Sequence, residues 1–472
     1  MKTKKLLRDT LILTAASLIM RGLGILFSSY LSSVIGAEGL GVLHLILSAC
    51  NFAVSAAGSG ITLSAIRLVV SARAKGMSVG RTLRLCFIYS LFPGFIAAAG
   101  LFFSAASCAA LIGYPETAGC MRLFALSLPF ISLSCALSGF FTAERLSGVY
   151  AGVQLFEQLA KILFSMLLLL LIRARTAVDC CFAVIVSQCV SSAANTAVSF
   201  LLYRRASLRD AGRGAPKMRE LLKIALPDSV SSCLRSALVT VRQLFVPRAF
   251  EQSGISAAEG IATFGIIQSM ALPVVFFASC ISSSFSSLLI PEIADCVARG
   301  EKNKADTHAV KALKLTFLYA VFVSAAVWLS APLVAERLFP GRNADFYIRL
   351  LSPIIPISYM DTTTDCILKG LGLQLDSMRF NIIEAAVCLA MVLTLVPRFG
   401  IWGYVLMIFT GEILNFAMSI SRLAFKLSSS PRGGDKEHEN GIKLKSAHKH
   451  IENQKKLYGI GKDREIARGS DE

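Results

Sequence analysis

Three arginines stand inside long apolar stretches of the sequence, where a cation is costly. Arg21 lies near the middle of the first apolar run, and Arg235 and Arg242 lie seven residues apart in a later one. An arginine near the centre of a bilayer costs about 2.5–3.5 kcal/mol on insertion scales, so these side chains are expected to face protein or water. A guanidinium is a planar fork of donors that matches phosphate. Two interpretations stay open: a cleft that binds phosphate or pyrophosphate, and structural pairing with carboxylates inside the membrane.

Carboxylates within the apolar stretches are candidates for proton or cation coupling. They are Glu157, Glu384, Asp361 and Asp365. Asp361, Asp365 and Lys369 follow each other at intervals of four residues and therefore share one helix face, which fits an ion relay and a self-neutralising ladder equally well. Glu157 and Lys161 have the order and spacing of an ion pair on a helix surface, for which a structural role is the simpler interpretation.

The composition indicates that helices in a membrane position these groups. The chain has 472 residues, of which 54% are hydrophobic and 17% charged, and its mean hydropathy is +0.63. Apolar stretches of at least about 20 residues, each long enough to cross a bilayer as a helix, recur along the chain. None has the alternating pattern of an outer-membrane strand. The sequence therefore predicts an all-α polytopic membrane protein with about twelve transmembrane helices.

The net charge of +18 follows the connections between these helices. Basic residues concentrate in the N-terminus, in segments 71–84, 204–223 and 299–314, and in the tail, whereas segments 36–40 and 113–119 have no lysine or arginine. By the positive-inside rule, both termini are expected in the cytoplasm. Topology and attraction to anionic lipid account for this charge, so no nucleic-acid partner is predicted.

The sequence repeats itself in two halves. Residues 82–89 match 312–319, and Arg122, Pro129, Gln154 and Glu157 recur 227 positions later as Arg349, Pro356, Asn381 and Glu384. Arg21 recurs 221 positions later as Arg242. Six spans in each half make the halves parallel repeats about an axis along the membrane normal. The predicted organisation is an N-lobe at 1–203, a cytoplasmic linker at 204–218, a C-lobe at 219–426 and a disordered cytoplasmic tail at 427–472.

Several kinds of chemistry are missing from the sequence. The thirteen cysteines show no metal-binding spacing, so neither a metal site nor a disulfide is expected. There is no phosphate-binding loop of the ATPase type, and no connection between spans is long enough for a catalytic domain. We therefore predict a protein that is not an enzyme and uses no cofactor.

Two segments resemble a known family. The opening "LRDTLILTAASLIMRGLGILFSSYLSSVIGAEGLGVLHLI" and residues 269–305 are similar to the stage V sporulation protein B group of oligosaccharide and lipid II flippases, within the multidrug/oligosaccharidyl-lipid/polysaccharide superfamily. The resemblance covers residues 5–426. It implies two six-helix bundles in a V shape, as in multidrug and toxic compound extrusion (MATE) transporters, and alternating access. It also implies that Arg21, Arg235 and Arg242 match cavity arginines of related lipid II flippases.

The leading hypothesis is therefore a flippase in the bacterial plasma membrane. Its substrate would be an undecaprenyl-pyrophosphate-linked glycan, either lipid II or a polysaccharide repeat unit. The membrane potential or an ion gradient, of H⁺ or Na⁺, would drive the return of the empty protein. One alternative is a cation-coupled multidrug antiporter of the same superfamily, with Asp361 and Asp365 as the coupling site. The other is a scaffold for cell-wall or spore-coat synthesis that does not transport, with the basic tail as its docking arm.

Overall fold

All regular structure in the described part of the protein is helical. The computed structural model describes residues 2–172, 176–207, 214, 216–299 and 301–428. Residues 208–213 and 215 of the predicted linker, and the predicted tail beyond residue 428, lie outside these residues. The amide of Ser78 donates a hydrogen bond of 3.1 Å to the carbonyl of Gly214, which brings the basic segments 71–84 and 204–223 to the same end of the bundle. We call this the basic-loop end.

The first half has four continuous spans, and its second and fourth spans are interrupted. Its helices are α1 (Lys2–Gly58), α2 (Ile61–Ala74), α3 (Val79–Ile112), α4 (Ala118–Ala125), α5 (Leu128–Ala143), α6 (Ser147–Ile172) and α7 (Ala177–Ser207). A short 3-10 turn at Pro115–Thr117 precedes α4.

The second half follows the same plan. Its helices are α8 (Met218–Gln252), α9 (Ala257–Gly265), α10 (Leu272–Val275), α11 (Ser279–Ala298), α12 (Lys302–Leu338), α13 (Ala344–Leu351), α14 (Ile354–Gly370), α15 (Gln374–Thr394) and α16 (Val396–Ser428). A π-helical turn at Ile266–Ala271 joins α9 to α10.

Grouping the interrupted helices gives twelve spans, six in each half. By length and composition alone, nine helices of the described residues could cross a membrane, or ten if the bent pair around residues 126–127 is one span. This count of nine or ten differs from twelve for three reasons. Thr10–Ala74 contains two spans, α9–α10 and α11 are two pieces of one span, and α8 and α13–α14 carry too much charge or are too short to pass that test.

The interruptions recur at equivalent places and confirm the repeat. The second span of each half is broken, at residues 59–60 and 276–278, and the fourth span is broken at 126–127 and 352–353. Pro129, Pro273 and Pro356 lie within two or three residues of these breaks in three of the four cases. A proline removes one helical hydrogen bond and crowds the preceding turn, which favours a break at such a place.

Gly36 separates the first two spans. Its φ of 73° and ψ of −176° lie outside the range of residues with a Cβ, and helix resumes at the next residue. The connection expected at residues 36–40 is therefore shorter than the sequence suggests, because one glycine with a positive φ makes the whole turn.

The two halves pack most closely between their second spans. A Cβ added at Gly41 would collide with the carbonyl of Ile261, and one added at Gly265 would collide with the carbonyl of Ala37. Small residues let two helix backbones approach in this way. Around this crossing, one hydrophobic cluster joins both halves and includes Leu45, Ile46, Phe264 and Tyr404. The halves are thus held together at the end opposite the basic loops, which we call the far end. They also approach closely nearer the basic-loop end, where a Cβ added at Gly60 would collide with the carbonyl of Ala225.

Candidate functional site

Arg21 connects the first span of one half to the broken span of the other. Its Nη1 donates a hydrogen bond of 2.8 Å to the carbonyl oxygen of Phe276, and its side chain is exposed. Phe276 lies in the break between α10 and α11, where its carbonyl also accepts a hydrogen bond of 3.1 Å from the amide of Ser279. The hydroxyl of Tyr319 satisfies a second carbonyl of the same break, that of Ala278, at 3.2 Å. Arg21 therefore stands at the junction of the halves, near mid-span.

Arg242, the repeat partner of Arg21, has a different environment. Its Nη1 lies 3.5 Å from Oε1 of Glu384, and the two side chains are only 18% and 16% exposed. The thiol of Cys388 donates to the same carboxylate oxygen at 3.3 Å. Arg242 is therefore neutralised within its own half, which is the structural pairing that the sequence left open.

Arg235 lies on α8 two turns before Arg242 and is exposed. It makes no hydrogen bond or ion pair within the described chain. The carboxylate of Glu412 on α16 lies near enough for electrostatic attraction to both arginines. Of the three predicted arginines, Arg21 and Arg235 thus remain available to a ligand in this conformation, whereas Arg242 is occupied.

In the first half, Glu157 lies in a network of hydrogen bonds between three spans. Asn195 donates to it at 2.8 Å and Ser192 at 3.2 Å, both from α7. The amide of Asn195 also donates to the hydroxyl of Ser134 on α5 at 3.0 Å. The structure gives no ion pair between Glu157 and Lys161, so hydrogen bonds from a neighbouring helix take the place of the pair expected along α6.

The second half repeats this network with more charge. Asn415 donates to Oδ2 of Asp361 at 2.8 Å. Asn415 lies 220 positions after Asn195, and Asp361 lies 227 positions after Ser134, so an asparagine of the sixth span contacts the fourth span in both halves. The hydroxyl of the first half is replaced by a carboxylate in the second. The sequence suggested the repeat, but it gave no sign that these two pairs were equivalent, because Ser134 and Asp361 differ in type.

Asp361 and Asp365 differ sharply although they share a helix face. Asp365 forms an ion pair of 2.6 Å with Lys369 and accepts a hydrogen bond from Ser377. Oδ1 of Asp361 and Oδ1 of Asn415 are buried and receive no hydrogen bond from the residues that the structure describes. Buried acceptors of this kind are rare because they lose their hydration without replacement. Asp361, rather than Asp365, is therefore the carboxylate with capacity for a proton or a cation.

The sequence did not predict the role of the tyrosines beside Arg21. Tyr319 and Tyr359 stack with ring centroids 6.0 Å apart, and the hydroxyl of Tyr359 is buried with no hydrogen-bond partner in the described part of the chain. The internal repeat gave a weak indication of the importance of Tyr319, because this residue belongs to the block that matches residues 82–89. Their contact with a broken helix depends on tertiary packing, which the sequence does not reveal.

The chain resembles one family profile, curated proteins and solved structures. The profile of the family described as "Polysaccharide biosynthesis protein" matches residues 6–254, more than half of the chain. Stage V sporulation protein B of Bacillus subtilis is 21% identical over 434 residues, which cover 88% of this chain and 82% of that protein.

The solved structures establish the fold. The inward-facing structure of a multidrug resistance MATE family transporter of the MOP superfamily has a TM-score of 0.65 and 17% identity, covering 89% of this chain and 100% of the other. A MATE structure in the straight conformation has a TM-score of 0.66 and 17% identity, covering 90% of this chain and 96% of the other. The protein is thus a multi-pass membrane protein with the fold of MATE transporters, and it belongs to the polysaccharide biosynthesis protein family.

Proposed function

We propose that this protein is a flippase that moves an undecaprenyl-pyrophosphate-linked glycan across the bacterial plasma membrane by alternating access. The observation that carries the proposal is the position of Arg21, an exposed cation near mid-span at the junction of the two halves. A guanidinium has five N–H donors, and one of them is used for the Phe276 carbonyl. The remaining donors suit the oxygens of a pyrophosphate.

The arrangement supports transport more than catalysis. Arg21 contacts both halves, so a ligand that binds it would respond to their relative position. Arg235, on the first span of the other half, would supply a second cation to the same anion. The family profile, which describes polysaccharide biosynthesis, supports a lipid-linked sugar as the cargo. The prenyl chain would stay in the bilayer while the charged head group crosses.

The orientation of the protein in the membrane follows from the charge of the basic-loop end. This end carries the segments 71–84 and 204–223, and anionic lipids of the cytoplasmic leaflet attract such segments. We therefore place both termini in the cytoplasm. With the halves in close contact at the far end, the conformation described here would be closed toward the outside.

A transport assay tests the proposal directly. Purified protein in liposomes should move fluorescent lipid II, or a polyprenyl-pyrophosphate glycan, between leaflets faster than liposomes without protein. Expression should also rescue a strain depleted of its lipid II flippase. Absence of both activities, in preparations that remain monodisperse, would rule out this function.

The environment of Asp361 supports a second part of the mechanism, in which transport is coupled to an ion. The buried oxygen of Asp361 without a hydrogen bond among the described residues lies in the second half, and a proton or Na⁺ there would neutralise the carboxylate. The same site would serve a cation-coupled multidrug antiporter, the alternative function. Drug resistance on expression, without transport of lipid-linked glycans, would favour the antiporter.

A further inference from the structure

A pocket of about 490 Å³ lies at the basic-loop end, away from Arg21 and Asp361. Three elements line it: α2 of the first half, the beginning of α8, and α15 with the turn before it. Each element contributes one cation, respectively Arg67, Lys223 and Arg379. The pocket therefore brings three positive charges together from both halves of the protein.

These cations are largely free of partners. Arg67 and Lys223 are exposed and make no hydrogen bond or ion pair among the residues that the structure describes. Arg379 lies 3.8 Å from Asp376, but that carboxylate is held at 2.6 Å by Arg422. Such a cluster repels itself, so an anion of more than one charge would be attracted to it.

Carboxylates near the pocket reduce this charge without cancelling it. Asp228 is the only acidic residue among the lining residues, and it forms no ion pair within 4.0 Å in the described chain. The lining therefore keeps an excess of two positive charges. A dianion is a better match to this excess than a single carboxylate.

The rest of the wall is apolar. It is formed by Leu63, Ile224, Pro227, Leu375, Met378 and Ile382. Leu375 is 68% exposed, so the apolar wall is open to its surroundings on this side. A wall of this kind beside a cationic cluster suits a molecule with a phosphate head and a hydrocarbon chain.

The location fits such a ligand. Arg67 lies two turns before the end of α2, where the chain enters the basic segment 71–84. Arginine and lysine at this depth reach toward the head-group layer of a bilayer. Close to the pocket, the hydroxyl of Ser229 donates to the carbonyl of Ser59 at 2.8 Å, so α8 already contacts the broken second span of the first half here.

We infer that this pocket binds the phosphate-bearing head group of a lipid, with the lipid chain along the apolar wall. Because Arg67 belongs to one half and Lys223 and Arg379 to the other, the bound head group would bridge the halves at the basic-loop end. Where the lipid is the pyrophosphate-linked substrate, the inference rests on the proposed function and makes the pocket its first docking site. A membrane phospholipid offers the same head-group chemistry.

Binding to the purified full-length protein tests the inference. Farnesyl pyrophosphate and a short-chain phosphatidylglycerol serve as probes, titrated in detergent in an Arg21→Ala background so that the central arginine does not contribute. The variant Arg67→Gln/Lys223→Gln/Arg379→Gln should weaken binding at least tenfold. Arg84→Gln, an exposed arginine at the same end that does not line the pocket, is the matched control.

The outcomes separate the sources of the lipid. A loss for farnesyl pyrophosphate alone supports a substrate docking site, a loss for phosphatidylglycerol alone supports a phospholipid site, and a loss for both supports the shared head-group chemistry. Unchanged binding of both probes overturns the inference, as does an equal loss in Arg84→Gln. If the triple variant is not monodisperse, the single variant Arg67→Gln replaces it. Arg67 is exposed and has no partner among the described residues, and its substitution should weaken probe binding several-fold.

This binding test can succeed or fail regardless of the result of the transport assay. If the liposomes move no lipid-linked glycan but the pocket variants lose binding, only the proposed function fails. If transport is observed but binding is unaffected by the triple variant, only this inference fails.

Discussion

The guanidinium of Arg21 lies 2.8 Å from the carbonyl oxygen of Phe276, so a cation of the first span is bound to a broken helix of the other half. The same carbonyl accepts a second hydrogen bond of 3.1 Å from the amide of Ser279, at the start of α11. An oxyanion that binds the same guanidinium would compete for this contact. Arg21 can therefore link ligand binding to the position of α10 and α11 relative to the first half.

Arg21→Ala should reduce transport of a lipid-linked pyrophosphate at least tenfold. The change removes the cation near mid-span and the hydrogen bond that it donates to the Phe276 carbonyl. Arg21→Lys should retain part of the activity, because the charge remains while the planar fork is lost. Initial rates in liposomes measure both effects.

Arg122→Ala is the matched control for this prediction. Arg122 is also an exposed arginine within a span, but its guanidinium lies over the ring of Phe102, 5.6 Å from the centroid, within one half. Wild-type rates are expected for this variant. If Arg122→Ala and Arg21→Ala were equally impaired, a special role for Arg21 would be excluded.

The ion pair between Arg242 and Glu384 should show strong coupling in a double-mutant cycle. Either Arg242→Met or Glu384→Gln alone leaves a largely buried charge without its partner, which costs about 3 kcal/mol. The double variant should be more stable than either single variant, because no uncompensated charge remains. Thermal unfolding in detergent measures all three. Additive losses would show that the two charges do not compensate each other.

The sequence predicted the fold because hydropathy and repetition are encoded along the chain. Matches at 221, 227 and 230 positions indicated two halves, and the breaks at residues 59–60 and 276–278 now support that reading. The breaks themselves were harder to predict. Pro273 suggested a bend, whereas Ser59 and Gly60 lie in an apolar stretch that reads as one continuous helix.

The candidate site was only partly predictable, since burial and partners depend on packing between distant segments. Arg21 and Arg242 are equivalent in the repeat, yet one binds a backbone carbonyl and the other a carboxylate 142 positions away. From the sequence we treated Asp361 and Asp365 alike, although Lys369 follows Asp365 at the i, i+4 spacing of a helix ion pair. The contact between Asn415 and Asp361 joins positions 54 residues apart and depends on packing between helices.

Orientation can be checked with reporter fusions. An alkaline phosphatase domain inserted after Gly113 should be active, and one inserted after Gly76 should be inactive, because the basic segment 71–84 is retained in the cytoplasm. A cytoplasmic fluorescent reporter at the same two positions should give the opposite pattern. The reverse result at both positions would place the termini outside.

Gly41→Ala should disturb the contact between the halves at the far end. The added methyl group would collide with the Ile261 carbonyl, and overpacking of this kind costs about 1–3 kcal/mol. Thermal stability should fall, and cross-linking between cysteines placed across the far end should decrease. Gly100→Ala is the control, because a Cβ there has no neighbour within 4 Å and alanine favours a helix. Equal stability of the two variants would contradict the close approach at Gly41.

Asp361→Asn should make transport insensitive to the driving ion, whereas Asp365→Asn should leave that dependence in place. The asparagine keeps the shape of the side chain and its contact with Asn415 but can neither bind a proton nor pair with Na⁺. Asp365 is already neutralised by Lys369, so its loss should affect stability more than coupling. Initial rates in liposomes with imposed pH or Na⁺ gradients distinguish the two variants. If Asp365→Asn abolished the gradient dependence and Asp361→Asn did not, the unpaired oxygen of Asp361 would have no role in coupling.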